Sequence, residues 1–440
     1  MTQTPPPHVR ATAARRPPET DAWFVAVWLV SRTLMAWLWA NQETFIDHDV
    51  RYYLGQLNHN GLGQALIEYP TPITLLLAGL RLLAGPSEEV FLFVFVLLML
   101  ALDGLATFWL WTGLSRWAAG YWLAFTFLVG SLIWFRIDLI PAVAVLAGLI
   151  WVTRRPLMAG SAIAIGAAAK LWPAMLIIPM LGSSPRARRR GLGFVIVGGV
   201  LGIGSLAGFG WQRSTSPLTW QSDRGLQIES LAATWPMIRH AFAPEPDFYT
   251  QLSEYNAWEI YGPGVARWQQ LADHAMIGAL TLALLLGWLI GLGGAGLPGH
   301  RCAQANSAGA ARRRTHAIVL ATIALICAVI VANKTFSPQY VIWLTGPLAL
   351  LVALPLQVEH RRQARLLALL GLVTAALTHL VFPLNYAGLI AMRAEAGATL
   401  LLVGRNLIVV AMTILSILWA LRAAWLVGLP EPEQTQPPPN

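Results

Sequence analysis

Residues 71–84, TPITLLLAGLRLLA, decide how the rest of the chain is threaded. The run is apolar, but it falls short of the ~20 residues that a simple membrane span needs, and Arg81 sits among its leucines. Counted as a span, it reverses every later loop and puts Arg154 and Arg155 outside. Counted as an amphipathic helix on the outer surface, it leaves about twelve spans with both termini inside. The charges choose. On the second reading the N-terminal arginines, Arg116, Arg154, Arg155, Arg186, Arg188 to Arg190, Arg301, Arg312 to Arg314, Arg361, Arg362, Arg365 and Arg422 face the cytoplasm, and most of the acids fall outside. That is the positive-inside pattern, so 71–84 is read as the surface helix.

The composition around this segment calls for a membrane. Of 440 residues, 56% are hydrophobic and 12% charged, against about 25% charged in a soluble domain. Mean hydropathy is +0.57, and so few charges cannot coat a water-soluble particle of 48.0 kDa. The expected fold class is therefore an all-α polytopic membrane protein. A pI near 10.1 in a soluble chain would suggest nucleic acid as a partner. Here the arginines act as orientation labels, and the expected partner is the lipid bilayer, with no nucleic acid. Of the 30 basic side chains only Lys170 and Lys334 are lysines, and both stand apart from the basic loops. Cys302 and Cys327 are too few for a disulfide framework or a metal knuckle.

Residues 1–21 and 428–440 are proline-rich and polar, and are expected to be disordered cytoplasmic tails. Spans are expected at about 22–40, 89–113, 119–135, 138–152, 156–170, 172–183, 191–210, 273–296, 316–333, 339–356, 365–383 and 403–427. The first has no small-residue cleavage site and is read as a retained helix rather than a signal. The three between 138 and 183 are short and proline-interrupted. Such helices survive in a membrane only inside the protein or against a wet cavity. Two outer loops, 41–88 and 211–272, are too long to be mere connections.

The polar residues at membrane depth converge on the outer face. Loop one carries Asp47, Asp49, Arg51, Tyr52 and Tyr53, then Glu68-Tyr69-Pro70; the next outer turn carries Arg136 and Asp138. Lys170 and Lys334 end two spans on that side, and the second loop brings Arg224, Gln227 and Glu229. Ionisable groups at such depth are functional candidates by default. A carboxylate beside fixed cations can take a proton from a hydroxyl while the cations hold a departing phosphate. The same groups also suit a transporter of an ion or anionic substrate. Asp47-x-Asp49 has the look of a metal pair, but such spacing is common by chance, and neither metal nor cofactor is expected.

Six motifs in order carry a resemblance over residues 22–427. They are Asp49-Val50 with Tyr52 and Tyr53; Glu68-Tyr69-Pro70-x-Pro72; Arg136-x-Asp138; Ala168-Ala169-Lys170-Leu171-x-Pro173; Arg224-Gly225-Leu226-Gln227-x-Glu229-Ser230; and Lys334-x-Phe336-Ser337-Pro338-Gln339-Tyr340. Through them the chain resembles the GT-C superfamily of integral-membrane glycosyltransferases. More narrowly it is similar to glycosyltransferase family 87, the actinobacterial α-mannosyltransferases that use polyprenyl-phosphate mannose. One departure is Thr71, which stands between Tyr69-Pro70 and Pro72, where family members commonly have two successive prolines.

The resemblance implies a GT-C-type fold on the plasma membrane. In it, 22–210 forms a catalytic membrane module, 211–272 an outer loop and 273–427 the C-terminal helices. It also implies a polyprenyl-phosphate sugar donor, a glycolipid acceptor and an inverting single displacement. Asp49 is then the general base, with Asp47 the alternative. Lys334 is expected to meet the donor phosphate, with Arg136 or Arg224 in support. Lys170 and Asp138 form a structural or donor-orienting pair, while Gln227 and Glu229, with Gln339 and Tyr340, bind donor sugar or phosphate. Tyr52, Glu68 and Tyr69 serve the acceptor or support the loop. The rivals are a flippase or secondary transporter of a lipid-linked sugar, and a non-catalytic assembly partner. One geometric expectation separates an active site from scattered charges: Asp49, Lys170 and Lys334 should line a single cavity.

Overall fold

Apolar runs punctuated by Ser, Gly and Pro set the ends of the helices. The computed structural model describes residues 18–42, 45–245, 247–297 and 308–429; most of both tails, Arg301 and Cys302 lie outside that range. The helices are α1 (Pro18–Ala40), α2 (His48–His59), α3 (Thr71–Ala84), α4 (Glu88–Gly113), α5 (Arg116–Val129), α6 (Leu139–Trp151), α7 (Pro156–Ala169), α8 (Pro185–Asp223) and α9 (Thr234–Phe242). A hairpin of β1 (Tyr249–Leu252) and β2 (Trp258–Tyr261) follows, antiparallel, with Tyr249 opposite Tyr261. Then come α10 (Val265–Gly291), α11 (Ala308–Ala332), α12 (Thr345–Ala353), α13 (Val358–His379), α14 (Tyr386–Leu389) and α15 (Ala396–Val427). Helix α1 belongs to one compact unit, and residues from Thr44 onward form the second.

The chain is a helical polytopic membrane protein. Among the described residues eight helices are long and apolar enough to cross a membrane, and shorter apolar helices lie at Thr71–Ala84, Leu139–Trp151, Pro156–Ala169 and Pro338–Ala353. The short ones after α5 are the interior. Helix α6 is buried over most of its length, as are residues 172–180, 338–344 and α12. Helix α8 by contrast exposes Val195, Val200 and Ile203, the surface expected against lipid. Helices α7 and α8 cross at contact distance because glycines meet there. A Cβ on Gly160 would sit 1.8 Å from the Arg190 carbonyl oxygen, and one on Gly193 2.0 Å from that of Leu157.

Helix α3 packs against α4 and α8 through Ile73, Thr74, Leu77 and Leu80, spaced three to four residues apart. Leu75, Leu76, Leu82 and Leu83 are exposed, an apolar stripe for lipid to cover. Arg81 donates from Nε to Asn58 Oδ1 at 2.6 Å, fastening α3 to the end of α2. The inserted Thr71 opens the helix, with Pro72 in its first turn, and its hydroxyl donates to Ser205 of α8 at 2.5 Å.

The structure corrects several expected boundaries. Residues 172–180 form a 3₁₀ helix rather than an α-helical span, because Pro173 and Pro179 remove amide donors. The span expected at 191–210 is part of α8, which bends at Gly210 (φ 75°, a glycine conformation) and stays helical to Asp223. The loop expected at 211–272 therefore begins later than 211 and ends before α10 at Val265, and it contains a hairpin that an all-α expectation missed. Helices α11, α13 and α15 also start earlier than expected. Hydropathy stops at the first arginine or polar turn, whereas a helix can continue into the headgroups.

The extra turns of α8 bring Arg213 onto the first loop. Its Nη2 donates to the carbonyls of Ala65 (3.2 Å) and Leu66 (3.1 Å) and to Thr74 Oγ1 (3.0 Å), and its Nη1 donates to the Tyr69 carbonyl (3.0 Å). Arg213→Gln is expected to cost about 2 kcal/mol locally. Hydrogen exchange of amides 65–69 should then speed up by more than about tenfold while amides of α6 stay protected.

Candidate functional site

The site is assembled from short, irregular pieces that the helix ends hold in place. Asp47 stands at the N-cap of α2 and Asp49 in its first turn, where a carboxylate suits the helix dipole. Asp49 Oδ2 lies 3.0 Å from Arg136 Nε, an ion pair in which that N–H is not aligned as a hydrogen bond. Arg136 is buried between the 3₁₀ turn 130–134 and α6, and its Nη1 donates to the carbonyls of Ile46 (2.6 Å) and Phe135 (2.9 Å). The cation is thus immobilised, while the Asp49 side chain remains 27% exposed.

That exposure opens into a cavity of about 360 Å³ lined by His48, Asp49, Tyr52, Glu68, Tyr69, Arg136, Arg224, Gln227, Glu229 and Gln339, among others. Phe45, Trp220, Leu252, Tyr255, Trp258, Phe382 and Tyr386 supply an apolar and aromatic wall. One rim is the hairpin. Residues 226–228 run extended beside it: Ile228 N donates to the Trp258 carbonyl at 3.1 Å and Ile260 N to that of Leu226 at 2.9 Å. The Glu259 carboxylate accepts from Gly225 N at 3.1 Å. On the other side Gln227 N donates to the Lys334 carbonyl at 3.0 Å, so the Arg-Gly-Leu-Gln motif is clamped from both flanks.

The cavity's electrostatics come from burial against paired charge. Glu68 is pushed above the usual carboxylate range mainly by burial, opposed by its own backbone N–H, by Tyr52 and by the cations of Arg213 and Arg224. The Tyr52 phenol is raised by burial and then by the neighbouring Glu68. Glu229 is fully buried and raised by that burial, against the pull of Arg405. Arg405 Nη1 donates to Glu229 Oε2 at 2.5 Å and Nη2 to the Glu229 carbonyl at 2.7 Å. Asn406 adds a bond to Thr234 Oγ1 at 2.8 Å. Arg224 differs: it lines the cavity, and its buried Nε–H has no hydrogen-bond partner among the described residues.

The expectation that Asp49, Lys170 and Lys334 line one cavity fails, and that outcome counts against an active site of the kind expected from the sequence. Asp49 lines the cavity; the lysine amines do not. Lys170 donates from Nζ to Asp138 Oδ1 at 2.8 Å, and the same oxygen accepts from Trp343 Nε1 at 2.7 Å. The ammonium also lies 4.7 Å from the Tyr340 ring centroid and 5.4 Å from that of Trp343. A lysine at this depth requires such neutralisation, so of the two roles expected for the Lys170–Asp138 pair the structural one is what the geometry displays. Tyr340 belongs to the same stack rather than to the cavity. Lys334 Nζ lies 3.9 Å from Asp273 Oδ1 on α10, and its carbonyl accepts from Gln227 N in the motif that lines the cavity. Asp47 also lies outside, paired with Arg51 at 2.8 Å, which in turn meets Glu88.

The sequence reading missed Arg405, although an arginine followed by asparagine inside an apolar span is a signal of function or structure. It also assigned no role to His48, Trp220, Tyr255 or Tyr386, which have no motif and reach the cavity through tertiary contact alone. No protein-family model, curated protein or solved structure matches this chain.

Proposed function

We propose that the chain is a membrane glycosyltransferase. It moves a hexose, mannose by family resemblance, from a polyprenyl-phosphate donor to a hydroxyl of a glycolipid or lipoglycan on the outer face of the plasma membrane. The observation that supports this reading best is the pairing inside one cavity of a part-exposed carboxylate, Asp49, with two cations, of which Arg224 keeps a buried N–H unused. The reading brings with it a GT-C-type fold. On that reading the eight long helices together with α6, α7 and 338–353 supply its spans, the buried 3₁₀ segment 172–180 links α7 to α8, and α3 lies on the outer surface.

In the proposed step the acceptor oxygen attacks the sugar C1 while its proton passes to Asp49. The bond from C1 to the phosphate oxygen breaks on the opposite face, inverting that carbon. Polyprenyl phosphate leaves with the bonding pair, and Arg224 neutralises its charge. Arg136, itself held by two carbonyls, keeps Asp49 aimed. The aromatic wall of Trp220, Tyr255 and Trp258 gives sugar rings apolar faces to stack on, and Gln227 and Gln339 offer hydroxyl partners. Lys334, the first choice for the phosphate on sequence grounds, gives way to Arg224. Membranes containing Arg224→Gln should show kcat/KM for labelled polyprenyl-phosphate sugar reduced about 10²-fold, and Lys334→Gln less than tenfold. The reverse order of the two variants would return the phosphate to the lysine.

A further inference from the structure

A second concavity lies at the opposite ends of the helices that frame the first. Helix α6 begins at Asp138 and Arg136 and ends beside Thr153 and Arg154, about 20 Å away along its axis. Helix α11 likewise runs from Arg312 and Thr315 toward Lys334. This pocket has a volume of about 650 Å³, within the range of ligand sites. Its charged lining is of one sign: Arg154, Arg186, Arg189 and Arg312, with no Asp or Glu among the described residues around it. Pro156, Leu354 and Leu356 form an apolar wall.

The placement of these arginines runs against local helix chemistry. Arg186 and Arg189 sit in the first turns of α8 and Arg312 near the start of α11, where the dipole disfavours cations, and neither first turn holds an acid. Arg154 stands just before α7, whose first turn is also without one. None of the four has an ion-pair or hydrogen-bond partner among the described residues. Neighbouring arginines are used differently. Buried Arg190 donates to the carbonyls of Met180 (2.7 Å) and Val152 (2.9 Å), and Arg361 to that of Leu356 (2.7 Å), which shapes the wall. The positive-inside pattern accounts for arginines on this side of the bilayer. It gives no reason to gather four unpaired ones around one hollow. The four are exposed, so their guanidinium forks are open to a ligand, and converging guanidinium forks are the chemistry that holds phosphate.

We infer that this pocket binds a phosphate-bearing anion, independently of the reaction at the other end. Two sources share that chemistry: the headgroup of an anionic phospholipid, for which the apolar wall is suited, and soluble phosphate. The full-length protein is reconstituted in nanodiscs of phosphatidylcholine with or without phosphatidylglycerol, and retained lipid is counted by native mass spectrometry. In a parallel arm, inorganic phosphate is titrated onto protein in phosphatidylcholine alone, followed by thermal shift. The pocket variant carries Arg154→Gln, Arg186→Gln, Arg189→Gln and Arg312→Gln. The control removes equal charge from the same face through Arg116→Gln, Arg188→Gln, Arg362→Gln and Arg365→Gln.

The expected result is retention of phosphatidylglycerol by wild type and control, weakened about tenfold or more in the pocket variant. A thermal shift with phosphate that only the pocket variant loses identifies the soluble source instead, and still places the anion here. The inference is overturned if wild type shows neither lipid preference nor phosphate shift, or if both variants lose binding equally. The latter result would mean diffuse surface charge. The first failure shows in wild type alone, so the inference stays open to refutation even if a variant does not fold.

Discussion

Asp49→Asn is expected to lower the rate of transfer by about 10³-fold, within the range that general-base catalysis supplies, while the protein remains folded and inserted. Asparagine keeps the shape and a carbonyl oxygen near Arg136 but cannot accept the acceptor's proton. Arg136 keeps its two carbonyl partners, Ile46 and Phe135, so the loop stays in place. Asp47→Asn is the matched control. It disturbs an ion pair whose arginine is 46% exposed, worth less than about 1 kcal/mol, and should leave transfer within a few-fold of wild type. The assay is incubation of membranes with labelled polyprenyl-phosphate mannose and candidate glycolipid acceptors. Near-normal turnover by Asp49→Asn, with Asp47→Asn inactive, would move the base by two residues. Full turnover in both would sink the scheme, and a folded protein with no transfer in wild type would leave the assembly-partner reading standing.

The largest effect on stability belongs to Arg405→Leu. Glu229 and Arg405 are both fully buried, and removing one partner leaves the other charge uncompensated, at about 3–5 kcal/mol. Melting of the purified protein should fall accordingly. The pair need not contribute net stability, so Glu229→Leu combined with Arg405→Met should recover most of the loss. The pH dependence has a definite sign. Burial raises the Glu229 pKa above its unfolded value, so the folded state holds its proton more tightly than the unfolded state does. With Arg405 gone that difference grows, and the variant's deficit should shrink as pH falls from about 8 to about 5. A deficit independent of pH, with no rescue by the double substitution, would assign the damage to lost packing instead.

The membrane class was legible because hydropathy and arginine placement are averages over many residues, and averages survive local error. The surface reading of 71–84 comes from charge bookkeeping at distant loops; the structure makes it a 14-residue helix with exposed leucines, which is compatible with that reading. What could not be read was direction. Lys170 and Lys334 are expected on one face with Asp49, but whether an amine turns into a cavity or toward a neighbouring carboxylate depends on Asp138 and Asp273. These partners lie far from the lysines in sequence, and no spacing encodes them. The same blindness explains Trp220 and Tyr255, whose T-shaped contact at 4.9 Å joins the end of α8 to the hairpin. It explains Arg213 too, whose role exists only because α8 bends at Gly210 and keeps winding.

The Lys170–Asp138–Trp343 knot separates two kinds of signal in related chains. It ties the end of α7, the start of α6 and the 338–344 turn together around one carboxylate, so any descendant that must fold will keep it. Asp49 carries less of that burden, because Arg136, its ion-pair partner, keeps the Ile46 and Phe135 carbonyls without it. On the proposed function, a descendant that loses Asp49 and retains the lysine motif would reach the membrane and fold without catalysing transfer. Surveys that count the lysine motif as a sign of enzymes would therefore include silent paralogues, and the residue at position 49 is the better discriminator.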